Sequence, residues 1–481
     1  MPRRFNASRF SAAGRAQRWR RWLGRTDLAV SVALAAVLFA MVNLLASRHW
    51  VRLHARSDAV GRLSEKTLRL LEDGPDAIRF TVLMRPENDA WQPTADLLRE
   101  YAALSPGITV RHVHPDRDLA EAESLLRDAG ASGATEEGII VEIDGRRASI
   151  PAARLSAGGA YRGEALVSGA IRSLVRPSRP VVYFLRGHGE RSPGDFGPTG
   201  CSRIADRMRD ENWDVRELDF GTARAVPADC ALLVLAGPQN PLAGHELNLL
   251  RGHLDRRGRL LLLLDPRTDT GLGPLLRDWG VQTGGDTVAD PVHSLGGRDL
   301  HADAFPGHPV TDSLRGSSAV FALTRSLRPI PQPPGGDKPV VTPVVLSSPD
   351  SWAEYDPGDA SPHYDPPTDL PGPLPVAVAV ERGPVPGVHV QIRPTRMMVF
   401  GDSGFASNGG LVGANSDLFL NAVHWLLDDD PARMVPGPRD AGDRRVLATR
   451  PQLHRLFACI AVGFPALLAA AGFAVAWRRR R

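Results

Sequence analysis

Two short turns hold the side chains best suited to chemistry. Arg186-Gly187-His188-Gly189-Glu190 sets an imidazole two residues from a carboxylate, and Gly401-Asp402-Ser403-Gly404 sets a hydroxyl beside one. Imidazoles and carboxylates are the usual proton-transfer groups, so His188, Glu190 and Asp402 are the candidate acid–base residues. Ser403 follows an apolar run, where a hydroxyl becomes a nucleophile only if a base reaches it. Asp265 ends a run of five leucines, and Asn408 closes the second turn. His188 and Glu190 also offer two metal ligands, with Asp195 as a third. Nothing in the spacing brings Asp195 to them, so no metal and no cofactor are expected. The plainer role of both turns is local: glycines shape the backbone, and Asp402 and Ser403 cap backbone groups. Asn408, Asn415 and Asn421 are likewise read as caps and turn formers. The candidate binding set is therefore Gly187, His188, Gly189, Glu190, Asp265, Asp402, Ser403 and Asn408, with no catalytic residue among them.

The elements that must position these turns read in two blocks. In residues 57–155, Ser64 caps a helix, Ile78–Met84 and Ile108–Val113 are strands, and Thr94–Leu104 and Leu119–Ala129 are helices. Gly138–Ile150 is a hairpin turning at Asp144-Gly145, a type I′ pair. The order β-α-β-α-β-β has a thioredoxin-like outline without redox cysteines. In residues 178–430, apolar strands (Val181–Leu185, Val215–Leu218, Ala231–Ala236, Leu260–Leu264) alternate with helices at Cys201–Glu211 and Gly244–Leu254. That alternation predicts a doubly wound parallel sheet, with ligands beyond the carboxyl ends of its strands. His188, Glu190, Gly237 and Asp265 fall there. Residues 328–375, rich in Pro, Gly, Asp and Ser, read as long loops, since they suit neither regular helix nor central strand. Val376–Val380, Met397–Phe400 and the apolar helix Ser416–Leu427 complete the sheet and its cover.

Two uncharged apolar runs flank the blocks, Leu28–Ala46 (19 residues) and Leu456–Trp477 (22 residues). Each is long enough to cross a hydrocarbon core as a helix. Eight arginines precede the first, in residues 1–27, and Arg478–Arg481 form the terminal tail. The net charge of +4 therefore conceals an acidic middle, which argues against nucleic-acid binding, while the basic tails suit an anionic lipid bilayer. The positive-inside rule puts both termini in the cytoplasm and the large domain outside. Small residues such as Gly463, Ala470 and Gly472 would let the second run pack closely on another helix. Cys201 and Cys230 are too sparse for a redox or zinc motif, and whether they pair cannot be read from spacing.

Taken in order, LSEKTLRLL (63–71), RGHGE (186–190), ALLVLAGPQNPLAGHELNLLRGHLDRRGRLLLLLDP (231–266), GDSGFASN (401–408) and NSDLFLNAVHWLL (415–427) carry a resemblance. Over residues 28–477 the chain resembles the auxiliary membrane component of ABC transport systems first associated with gliding motility. The resemblance implies a flavodoxin-related, amidotransferase-like extracytoplasmic domain behind a thioredoxin-like one, a place in a bacterial plasma membrane, and an ABC permease and ATPase encoded separately. The chain has no GxxxxGK[ST], so it is not the motor. Amidotransferase chemistry needs a thiol on the turn after a strand, and Leu264-Asp265-Pro266 has none. Ser403 is similar to the nucleophile of GDS-type esterases, but no Asp-x-x-His follows it. The expectation is a non-catalytic, membrane-anchored accessory subunit whose outer domain binds substrate or partner proteins. The alternative is an extracytoplasmic hydrolase-type enzyme using the loops around His188 and Asp402.

Overall fold

Alternation along the apolar strands builds two cores, one on each face of a single large sheet. In the computed structural model, Leu232, Val234 and Ala236 enter one core while Leu233 and Leu235 enter the other. Leu261 and Leu263 divide from Leu260 and Leu262 in the same way. Successive strand side chains point to opposite faces, so a continuous apolar run means burial on both. The structure describes residues 63–428, apart from 73, 129–136, 157–160, 176–178, 295–298, 332–337, 357–362 and 384–392, together with scattered positions between 455 and 478.

A four-stranded sheet comes first. Helix α1 (Glu65–Glu72) is followed by β1 (Ile78–Leu83), α2 (Trp91–Leu104), β2 (Ile108–Val113), α3 (Leu119–Asp128), β3 (Gly138–Ile143), β4 (Arg146–Pro151), α4 (Ala152–Leu155) and α5 (Gly163–Val175). The strand order is β2-β1-β3-β4, with β1 parallel to β2 and the other pairs antiparallel. Ser64 Oγ accepts from Thr67 N at 3.3 Å, the cap read from the sequence. Asp144 and Gly145 both have positive φ, as a type I′ turn requires. The core of this sheet extends past the expected end at residue 155, because Leu166, Val167 and Ile171 of α5 belong to it.

The large sheet has seven strands in the order β14 (Val340–Leu346), β17 (Pro375–Arg382), β18 (Thr395–Phe400), β8 (Arg259–Leu263), β7 (Cys230–Ala236), β5 (Val181–Arg186) and β6 (Asp214–Asp219). Its main elements are β5 (Val181–Arg186), α6 (Ser202–Asp210), β6 (Asp214–Asp219), β7 (Cys230–Ala236), α7 (Gly244–Asp255), β8 (Arg259–Leu263) and α8 (Gly273–Asp278). After α8 come short strands β9 (Val281–Thr283), β10 (Thr287–Ala289) and β11 (Leu300–Ala302), the helical turn α9 (Pro309–Asp312), and strands β12 (Ala319–Phe321) and β13 (Leu327–Pro329). Then follow β14 (Val340–Leu346), β15 (Trp352–Glu354), β16 (Leu370–Pro371), β17 (Pro375–Arg382), β18 (Thr395–Phe400) and α10 (Asn415–Leu426). Helices α6 and α10 cover one face, and α7 and α8 the other.

Two expectations need correction, and one open question is answered. The sheet is mixed rather than wholly parallel, since β17 runs antiparallel to β18 and β14 antiparallel to β17. Residues 328–375 are not simply loops, because β14, β15 and β16 lie within them. Pro343 is tolerated in β14 because that strand is at the edge, with a register shift at Pro343/Val345. Cys201 and Cys230 are free thiols: Cys201 is packed in one core and Cys230 lies against the other, across the sheet. Among the described residues no helix is long and apolar enough to cross a membrane. The expected span Leu28–Ala46 and the tail 1–27 lie outside the described residues, and Leu456–Trp477 is described only at scattered positions.

A buried charge cluster ties the two sheets. Glu211, just after α6, receives Lys66 of α1 at 2.7 Å, Arg172 of α5 at 3.2 Å and His424 of α10 at 3.3 Å. Burial opposes the charge on Glu211, but Arg172 and Lys66 outweigh it and hold the carboxyl well below its ordinary range.

Candidate functional site: the crevice at the strand ends

The chain leaves β5 toward β6 on one side but leaves β7 toward β8 on the other, so the exits of these two neighbouring strands run in opposite directions. Such a reversal opens a crevice outside the carboxyl ends of the strands. Gly187–Glu190 follow β5, Gly237–Asn240 follow β7, Asp265 follows β8, and Asp402 and Ser403 follow β18. Residues far apart in the chain thus meet on one edge, in two clusters.

The first cluster is a clamp around His188. Its Nδ1 lies 3.0 Å from Glu190 Oε1 and its Nε2 lies 2.9 Å from Glu246 Oε2. Burial alone would lower the imidazole, but the hydrogen bonds to Glu190 and Glu246 outweigh it and raise its pKa. Glu246 Oε2 also accepts from Ala243 N at 2.7 Å, capping α7, while His188 O accepts from the backbone N–H groups of Gln239 and Asn240. The ring and its backbone carbonyl therefore bolt together the β5 loop, the β7 loop and α7. Gly187 and Gly189, with φ of +123° and +86°, give the loop its reversal. Asp195 does not join the pair as a third ligand, for its Oδ1 accepts from Gly197 N at 2.8 Å.

The second cluster is built on Asp265. Its Oδ1 accepts from Ser403 N at 2.9 Å and from Ser403 Oγ at 2.6 Å, and its Oδ2 accepts from Gln239 Nε2 at 2.8 Å. Arg191 Nε donates to Ser403 Oγ at 2.7 Å. Asp402 turns inward: its Oδ2 accepts from Ala322 N at 3.1 Å and its Oδ1 from Gly404 N. Burial first, and then the charge of Asp265, push Asp402 up to about 7. Gly237, at φ +70°, is needed here because a Cβ would sit 2.4 Å from Ser403 Oγ.

Ser403 lacks the attributes of a nucleophile. Its φ of −95° is ordinary, whereas a nucleophile elbow is a strained turn, and the residue has no exposed surface. Asn408 is not brought into either cluster. Its Nδ2 donates to Asp195 O and Gly197 O at 2.9 and 2.8 Å, and its Oδ1 accepts from Arg203 N, so it staples two loops together. Asn415 does the same for Val320 and Gly410, and Asn421 for Val310.

Sequence reasoning missed Arg191, Gln239, Glu246 and Arg325. The first three stand at strand or helix ends beside flagged turns, a signal that could have found them. Arg325 had none. It follows a chain reversal beside Gly401, whose O accepts from Arg325 N at 2.9 Å. Its side chain is buried, and its Nε finds no hydrogen-bond partner among the described residues. Burial lowers its pKa, with Asp286, Asp265 and Asp269 opposing.

The fold and edge define a mixed α/β-sheet protein with a polar, internally bonded crevice at its strand ends. The chain belongs to the family described as an ABC-type uncharacterized transport system, auxiliary component, which matches residues 179–422. That family is part of a transport system, which implies other transporter subunits. No curated protein matches the chain. Among solved structures, the mmIFT52 N-terminal domain is similar at 18% identity and a TM-score of 0.39, covering 52% of this chain and 98% of that one. The exo-beta-1,4-mannosidase Op5Man5 from Opitutaceae bacterium strain TAV5 aligns at 12% identity and a TM-score of 0.27, covering 70% of this chain and 49% of its own.

Proposed function

We propose that the chain is a non-catalytic, membrane-anchored accessory subunit of an ABC-type transporter of the gliding-motility kind. Spans at Leu28–Ala46 and Leu456–Trp477 hold both termini in the cytoplasm of a bacterial cell and the body outside its plasma membrane. The body comprises a thioredoxin-like domain over 57–155, on whose core α5 packs, and an amidotransferase-like domain over 178–430. The crevice residues Gly187, His188, Gly189, Glu190, Asp265, Asp402 and Ser403 shape the surface that meets substrate or partner protein, and Asn408 holds the loop beside it. A separate permease and ATPase supply the pathway and the motor.

The carrying observation is that each acid–base candidate is already a structural connector. Both nitrogens of His188 are engaged, both oxygens of Asp402 accept backbone N–H groups, and Ser403 Oγ is bonded to Asp265. A general base with no free nitrogen has nothing left to take a proton with. Purification in mild detergent tests the reading: permease and ATPase are expected to accompany the chain, and its recovery alone overturns the assignment.

One observation favours the hydrolase-type alternative, namely Asp402 held near 7 next to Ser403. His188→Ala separates the two. An intact assembly with lost turnover of an ester or amide substrate supports the enzyme; a lost assembly supports the accessory role.

A further inference from the structure

At the opposite edge of the large sheet, where the parallel strands begin, lies an open cavity of about 780 Å³. Arg179, Arg256, Arg257, Arg259 and Arg393 line it. They come from four places: the segment before β5, the turn after α7, the start of β8 and the segment before β18. Cations favour a helix C-terminus, which accounts for Arg256 and Arg257 after α7 but not for the convergence of the other three. Among the described residues, the carboxylate bonded to this group is Asp428, whose Oδ2 accepts from Arg259 Nη2 at 2.6 Å and from Arg393 Nε at 2.7 Å. Its Oδ1 is taken by Arg396 Nη1. Arg179, Arg256 and Arg257 are exposed and make no ion pair among the described residues.

Among the described residues, the arginines of this cavity outnumber the carboxylate that pairs with them. Arg259 is lowered to about 10 by burial, with Asp428 opposing and the charges of Arg393 and Arg396 adding to the fall. His253, buried against Arg259 O at 3.1 Å, is also lowered by burial and adds no charge at neutral pH. Guanidinium forks match the oxygens of a phosphate two at a time, and an oxyanion seated here relieves the mutual repulsion.

The geometry points to a binding site for a phosphate-type oxyanion in this cavity, supplied by the headgroup of an acidic phospholipid. The site itself stands on the arginines; only the source rests on the membrane anchoring proposed above. That source follows from the edge on which the cavity opens. Lys66 of α1 reaches Glu211 just before β6, and α10 ends at Leu426, next to Leu427 in the cavity wall, so both outer helices of the described body meet this edge. A body tethered on both sides turns this edge to the bilayer.

The test uses the full chain in neutral detergent, followed by its unfolding midpoint. The ligands are short-chain phosphatidylglycerol, phosphatidylcholine, and inorganic phosphate at constant ionic strength. Phosphatidylglycerol is expected to raise the midpoint and phosphatidylcholine to leave it unchanged. The triple variant Arg179→Ala/Arg256→Ala/Arg257→Ala removes exposed, unpartnered side chains and is expected to fold. Its apparent affinity for phosphatidylglycerol falls on the order of tenfold for each guanidinium that contacts the ligand. Equal responses of wild type and variant to phosphatidylglycerol overturn the site. A response to inorganic phosphate as large as that to the lipid overturns the headgroup as its source, and does so whether or not a permease co-purifies.

Discussion

Asn in place of Asp402 should destabilise the protein at acid pH and stabilise it above neutrality. Asp402 is 2% exposed and its pKa rises from 3.8 to about 7. That rise corresponds to a penalty on the folded state of about 4 kcal/mol once the group is charged. Because the folded value lies above the unfolded one, the penalty is absent below about pH 4, grows through the acid range and is complete above about pH 7. Asn cannot ionise, so it escapes the penalty. It also replaces one acceptor oxygen with a donor, facing either Gly404 N or Ala322 N, which costs about 1–3 kcal/mol at every pH. The difference between the two proteins should therefore swing by about 4 kcal/mol between pH 4 and pH 8 and change sign on the way. Urea unfolding of both proteins across that range measures it, and other titrating groups cancel in the difference. A difference that stays flat with pH refutes the assignment of a neutral, buried Asp402. Asp265→Asn in both backgrounds adds an internal control, since removing the neighbouring charge should shrink the swing.

Three further outcomes follow from the same contacts. Gly237→Ala should lose about 2–5 kcal/mol in urea unfolding, from the left-handed backbone together with a Cβ 2.4 Å from Ser403 Oγ. His188→Ala leaves Glu190 and Glu246 facing each other without a cation and should cost about 3–5 kcal/mol. The wild-type contribution is full below the unfolded imidazole value of about 6.5 and fades as pH rises through the raised folded one, which an NMR titration of the ring locates. Glu211→Gln takes the anion from among Lys66, Arg172 and His424 and should cost about 3–5 kcal/mol at pH 7. That difference should shrink as acid protonates Glu211, whose carboxyl is held low, so unfolding at two pH values checks it.

Much of the large sheet was legible because its signals are local. Five leucines ending at Asp265 match a strand buried on both faces, and in the smaller sheet Ser64 and Asp144-Gly145 carry their cap and turn within three residues. Helix α5 was missed although its apolar residues have helical spacing, and its Leu166, Val167, Ile171 and Leu174 belong to the first core. The reading of 328–375 stopped at composition. Pro343 rules out a central strand but not an edge one, and only the pairing with β17 reveals β14 as the edge.

The sequence by itself determined which segments become strands and helices, and that His188, Asp265 and Asp402 would stand at strand ends, because burial periodicity and turn chemistry act over a few residues. Tertiary structure alone decided what those side chains do. Glu246 meets His188 across 58 positions, Asp265 meets Ser403 across 138, and Arg191 meets Ser403 across 212. Hydrogen bonds last only over about 3 Å, and strand order sets which loops come that close. No local pattern records that order, so the same residues that read as free acids and bases are found already bonded to one another.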